Sequence, residues 1–177
     1  MSGPSLPLAP LLQEELNERK GDYFTLEADA YTVQLDAAGG AISAGSGSFG
    51  VAVLARPKDQ SESPLLVIKR MSLFDTSMKS ALREALWLVE VGGCHHVVQL
   101  QDMLRGDSHA GLVMPFFEHV HFADALNAGK FDGAHTTTYM IHLFDALAHV
   151  HGKRVVHRDI KPSNVMCDLH RGGRCVI

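Results

Sequence analysis

The sequence has 177 residues, 46% hydrophobic and 20% charged, which is long enough for one domain with a real core and unlike a fibrous or wholly disordered chain. The formal charge is −4 with acids and bases interspersed, so no polybasic face marks nucleic acid or anionic lipid as a direct partner. The three cysteines, Cys94, Cys167 and Cys175, never form a C-x-x-C pair, which argues against a disulfide framework and a four-thiolate zinc site and fits a reducing, intracellular setting.

At the N-terminus "MSGPSLPLAPLLQEEL" is apolar in tint, but prolines interrupt it, no basic residue precedes it and acids follow, so it makes a poor secretory signal. No apolar run approaches the roughly 18 residues a membrane-spanning helix needs, and a soluble protein without a membrane partner is expected. Residues 1–30 read as a flexible leader, rich at first in Pro, Ser and Gly, with a short helix over Leu11 to Lys20.

From Tyr31 the runs "YTVQL", "VAVLA" and "LLVIK", separated by Gly-rich or Pro/Ser/Asp-rich breakers, predict an antiparallel meander. Met78, Leu82, Ala85, Leu86 and Val89 then recur at helical spacing between Thr76 and Val91, with Asp75 or Thr76 as N-cap and Gly92-Gly93 as a stop. Short strands return at "VVQLQDML" and "AGLVMPFF". A second helix is expected over Thr136 to His151, with Met140, Leu143, Phe144, Leu147 and Val150 on its stripe and Gly152 closing it.

Four stretches carry chemistry. In "AGSGSFGVAVLA", Gly45, Gly47 and Gly50, with Ser46 between the first two, make G-x-G-x-x-G. A dinucleotide fingerprint needs a helix next, whereas "VAVLA" is strand-like, and a Walker loop needs G-K-[ST], whereas Val51 follows Gly50. What remains is a glycine turn between strands, whose backbone can close over a triphosphate; a plain flexible hairpin is the bland alternative. In "LLVIKR", Lys69 ends an apolar strand, where a lysine is ordinarily an edge residue reaching to solvent. Glu84, beside the stripe of the following helix, gives it a carboxylate partner, and such a pair makes sense where an anion shares it.

In "GLVMPFFEHV", Met114-Pro115 ends a strand, and the Pro115 carbonyl with the Phe117 N–H and C=O could serve adenine. In "VVHRDIKPSNVMC", Asp159 is the candidate to accept a hydroxyl proton, Lys161 to neutralise a transferring phosphoryl group, and Asn164 to offer an oxygen to Mg²⁺, with His157 and Arg158 as scaffold. The spaced pairs His119/His121 and His149/His151 offer a weak metal reading, because no cysteine or acid accompanies them.

These stretches resemble the eukaryotic protein kinases: "GSGSFG" for the glycine loop, "LVIK" with Val67 and Lys69, "LREAL" with Glu84, and "HRDIKPSN" for the catalytic loop. The resemblance covers Tyr31 to Ile177. It implies an α+β, kinase-like fold: a small lobe and hinge over 31–118, with an antiparallel sheet and one long helix, and an incomplete helical large lobe over 119–177. It implies ATP and Mg²⁺ as cofactors, a protein substrate, and a cofactor site of Gly45, Ser46, Gly47, Gly50, Ala52, Val67, Lys69, Glu84, Met114, Pro115 and Phe117. Ala52 replaces the usual valine and trims the apolar roof over adenine.

Lys161 points to the serine/threonine class. "LREALWLVEVGG" and "VMPFFEHVHFADAL" look most like the cell-division-cycle-seven kinases, which implies the MCM helicase as substrate, an activating regulatory subunit and a nuclear location. Kinases continue directly after "CVI" with D-F-G, an activation segment and further helices, so the chain reads as a truncated catalytic domain, poorly folded and inactive alone. A non-catalytic kinase-like binding module is the alternative; retention of Lys69, Glu84, Asp159 and Asn164 favours the enzyme.

Overall fold

The computed structural model describes residues 30–47, 50–58, 60, 62–72, 78–105, 109–169 and 174–177. The expected leader and its helix over Leu11 to Lys20 lie outside them, as do residues 48 and 49 of the glycine turn and the expected N-cap of the first long helix. The chain divides into two compact units, one within Met1–Leu86 and Leu100–Met114, the other within Trp87–Gln99 and Pro115–Ile177.

The first unit is a six-stranded sheet built from β1 (Tyr31–Val33), β2 (Ser43–Gly47), β3 (Gly50–Pro57), β4 (Leu66–Ser72), β5 (Asp102–Arg105) and β6 (His109–Pro115). Along the sheet the order is β1-β3-β4-β6-β5, with β2 also on β3; β3 runs antiparallel to β1, β2 and β4, and β5 to β6. The three runs expected to form a meander are β1, β3 and β4, which lie side by side and antiparallel; β2, not expected as a strand, also pairs with β3, and β6 inserts beside β4 and leaves β5 outermost. Strand alternation gives the sheet two faces. Val53 opposes Ile68 and Ala55 opposes Leu66, and these four join Leu104 and Val113 in the core, with Tyr31 and Val33 packed against it.

The sheet is curled. The Tyr31 hydroxyl, on the first strand of the order, donates to Asp102 Oδ2 on the last at 2.9 Å, and a flat sheet would hold those strands far apart. Burial, and then the bond to Asp102, push the Tyr31 phenol up to about 12. Gly111 in β6 allows the close packing this curl needs, since a Cβ there would lie 2.9 Å from Ile68 Cγ2 and 3.3 Å from Leu104 Cβ.

Helix α1 (Met78–Glu90) buries Ala81 and Ala85 and leaves Val89 exposed, so its inner line is turned from the expected one. Small alanines let the helix backbone sit close to its neighbours, and burial follows that approach rather than side-chain size.

The second unit contains β7 (Val120–His121), α2 (Phe122–Asn127), α3 (Gly133–Gly152), a 3-10 turn over Pro162–Asn164, β8 (Met166–Asp168) and β9 (Arg174–Val176). Strands β7, β8 and β9 form a small sheet, antiparallel at both pairings. Helix α3 begins three residues before the expected start, because Asp132 caps it by accepting from the His135 N–H at 2.8 Å. Its buried line is Tyr139, Leu143, Ala146 and Val150, while Met140 and Phe144, expected inside, are exposed together with Ile141. The helix is apolar over most of its girth, so periodicity alone does not choose the inner line. One side packs Tyr139 and Leu143 against Val165, Cys167 and Cys175; farther along, Ala146 and Val150 pack against Val91 and Val97.

Candidate active site

The glycine turn joins β2 to β3, with Gly47 paired to Gly50 at its base and Ser46 opposite Val51. The strand that follows excludes the dinucleotide arrangement, as the sequence indicated. Gly50 takes φ +138°, and a Cβ on it would stand 1.9 Å from the Arg70 carbonyl oxygen of β4. Its glycine is therefore demanded by the sheet itself, whatever the turn covers. Gly45, at φ +155°, faces open space.

Across the β3–β4 pairing Ala52 lies directly opposite Lys69, and Leu54 opposite Val67. Side chains two apart share a face, so Ala52, Val67 and Lys69 gather on the sheet face away from the Val53–Ile68 core. Glu84 of α1 meets them there: Lys69 Nζ donates to Glu84 Oε1 at 2.6 Å, with the two side chains 28% and 38% exposed. The pair bridges a strand and a helix 15 residues apart in sequence, so folding of the unit is what assembles it. Its partial burial shields it from the screening that weakens surface pairs.

Met114 and Pro115 end β6, with Pro115 exposed at the strand terminus, where its missing N–H costs no ladder bond. The Phe117 carbonyl, one of the groups expected to face adenine, accepts from His119 Nδ1 at 2.7 Å, which sets the imidazole tautomer. The Phe117 ring carries the Arg174 guanidinium 5.5 Å from its centroid. Neither contact is legible in the sequence. His119 shows there only as half of the Glu118-His119 pair in the kinase-like stretch and as one of two spaced histidines. Among the described residues, no three His, Cys, Asp or Glu side chains converge as a metal cage.

The catalytic-loop candidates form one cluster within six residues of chain. Asp159 Oδ2 accepts from Lys161 Nζ at 2.9 Å and from Asn164 Nδ2 at 2.7 Å, and the same Nδ2 reaches the Asp159 carbonyl at 2.8 Å. The bond from Lys161, then that from Asn164, hold the Asp159 carboxyl below the usual carboxylate range, so it is ionised at neutral pH. Both bonds from Asn164 use its nitrogen, which leaves Oδ1 as a hard oxygen donor of the kind Mg²⁺ takes.

The main chain shapes this loop. Arg158 adopts φ +69°, a left-handed conformation uncommon for a non-glycine residue. The Asp159 N–H is within 3.3 Å of His157 Nδ1, and burial lowers the His157 pKa, which keeps that nitrogen free to accept. The 3-10 turn is tied by Asn164 N–H to the Lys161 carbonyl at 2.9 Å, fixing the spacing from Asp159 to Asn164.

The protein kinase domain profile matches residues 42–174, three quarters of the chain. The Drosophila melanogaster non-specific serine/threonine protein kinase Cdc7 is 31% identical over 131 residues, 72% of this chain and 18% of that protein. The cell division cycle 7-related protein kinase of Mus musculus is 32% identical over 123 residues, 69% of this chain and 21% of the relative. Its Homo sapiens counterpart is 38% identical over 79 residues, 45% and 13% of the two chains. The matched stretch thus spans about a fifth or less of each relative. With a strand lysine held by a helix glutamate and an H-R-D-x-K-x-x-N loop closed on its own aspartate, the chain belongs to the protein kinase family.

Proposed function

We propose that this chain carries the nucleotide-handling and catalytic-loop residues of a protein serine/threonine kinase, which moves the γ-phosphoryl group of Mg-ATP to a protein hydroxyl. The observation that carries the reading is the 2.6 Å Lys69–Glu84 pair on the sheet face that also bears Ala52 and Val67. That face therefore presents a strand ammonium held in place by a helix carboxylate, and phosphate oxygens would share it. In this reading Lys69 and the backbone of Gly45, Ser46, Gly47 and Gly50 would hold phosphates, Met114, Pro115 and Phe117 the adenine, and Asn164 Oδ1 the magnesium. Bound Mg-ATP supplies the transferable phosphoryl group and much of the neutralising charge.

The chain's own residues do the rest. Asp159, ionised and fixed by Asn164, orients the substrate hydroxyl and receives its proton. Lys161 exchanges its bond to Asp159 for the charge that develops on the transferring group. Similarity to relatives named for the cell division cycle supports a cell-cycle role; an MCM helicase substrate, an activating subunit and a nuclear location complete the proposal.

The 177 residues contain no D-F-G triplet, and Asn164 is the catalytic loop's one magnesium candidate, so we expect this piece alone to transfer no measurable phosphate. The test is ATP-dependent phosphorylation of a protein substrate by the protein extended in frame beyond Ile177. Asp159→Asn should lower the rate by about 10²–10⁴ while leaving the fold intact. An unchanged rate in that variant, or robust transfer by residues 1–177 alone, would overturn the assignment.

A further inference from the structure

Two of the three cysteines face each other in the small sheet. Cys167 of β8 and Cys175 of β9 are direct antiparallel partners, with Sγ atoms 2.8 Å apart and exposures of 0% and 2%. Both backbone groups of Cys175 have histidine partners. Its N–H donates to His142 Nδ1 at 3.2 Å, and its carbonyl accepts from His96 Nδ1 at 3.0 Å. The two imidazoles stack with centroids 4.0 Å apart and hold that residue from the side away from β8.

A cross-strand pair that exchanges no hydrogen bonds brings its Cα atoms to about 4.5 Å and its side chains closest together. That separation falls inside the window of roughly 4.4–6.8 Å that a disulfide requires, and the sulfurs need close by only about 0.8 Å to reach bonding distance. A buried cysteine alone is ordinarily a small hydrophobe, and Tyr139, Leu143 and Val165 supply apolar walls for that role. Register, backbone bonding and sulfur contact together ask for more than filling.

We propose that Cys167 and Cys175 are a reversible dithiol–disulfide pair, closed by peroxide into a cross-strand staple behind the catalytic loop. One thiolate attacks hydrogen peroxide, giving a sulfenic acid and hydroxide. The neighbouring thiol then displaces water as the S–S bond forms. Two thiols lose two electrons and two protons, and one peroxide becomes two waters. Either thiol can donate across the contact, so whichever sulfur loses its proton first is held by the S–H of its partner. Burial keeps bulky reagents away and leaves the partner thiol as the nearest trap for the sulfenic acid. The staple ties the strand that leaves Asn164, three residues before Cys167, to the β9 strand beside it.

The test is thiol counting on the full chain, purified reduced, treated folded with stoichiometric hydrogen peroxide, cleared of peroxide with catalase, then unfolded in denaturant with excess maleimide and weighed intact. We expect maleimide uptake to fall from three to one, a peptide joining Cys167 to Cys175, and recovery of all three thiols on reduction. Cys94→Ser should still form the link, whereas Cys167→Ser and Cys175→Ser should each abolish it. The proposal fails if oxygen is added at single cysteines without a link, or if Cys94 is the linked residue. It also fails if the same mixture of links forms in denaturant, since the link would then owe nothing to the strand register.

Discussion

The two charged clusters on this chain are built in opposite ways. Lys69 and Glu84 come from different elements, are half-buried, and meet only because α1 packs on the sheet. Asp159, Lys161 and Asn164 are neighbours in sequence, mostly exposed, and bond within one loop and its 3-10 turn. The first cluster therefore reports on tertiary structure and the second on local geometry, so substitutions elsewhere in the sheet should damage one and spare the other.

The largest separation is expected from Gly50→Ala. Its methyl would collide with the Arg70 carbonyl at the Lys69 end of the β3–β4 pairing. A loss of at least about 1–3 kcal/mol is expected from strain and overpacking, visible as a lower denaturation midpoint. Gly111→Ala comes next: Ile68 Cγ2 at 2.9 Å is a side-chain atom that can shift, so about 1–2 kcal/mol is expected. If either variant is as stable as the parent, the close approach of the strands is not as described.

Tyr31→Phe should cost about 0.5–1.5 kcal/mol, because Asp102 keeps its Oδ1 bond to the Met103 N–H. The same phenol gives a pH signature. Its folded pKa of about 12 lies above the ordinary 10.0, so its contribution is complete below pH 10 and is lost as the pH rises through 12. Ultraviolet titration should show a tyrosine ionising near 12 that is missing from Tyr31→Phe.

The smallest effect concerns the loop. The Asp159 pKa is lowered from 3.8, so its interactions persist above that value and vanish as the pH falls through the folded pKa. Carboxyl NMR should place its midpoint below 3.8, and Asn164→Ala should raise it. Gly50→Ala should leave it unmoved, which is the sharpest form of the contrast.

Legibility in the sequence followed the same division. The loop cluster was readable because its partners lie within six residues, and the glycine turn was readable because a strand-like run follows it at once. Lys69 with Glu84 was readable through a polar residue ending an apolar strand and a carboxylate beside a helical stripe. The insertion of β6 beside β4 was not readable, because it rests on non-local pairing that no short pattern encodes. Gly111 looked like an ordinary residue in an apolar run, and its reason lies in Ile68 and Leu104 on other strands. Only Leu143 and Val150 of the inner line of α3 are legible, because Met140 and Phe144 are as apolar as the residues that are buried. The Cys167–Cys175 contact depends on strand register, which a one-residue slip would have sent to opposite faces.

Nucleotide binding turns on the Lys69 ammonium that Glu84 holds. Calorimetric titration of the folded protein with Mg-ATP should give saturable binding that Lys69→Met abolishes and Glu84→Gln weakens, with Asp159→Asn close to the parent. Binding that is indifferent to Lys69, or no binding by a protein shown to be folded, would contradict it.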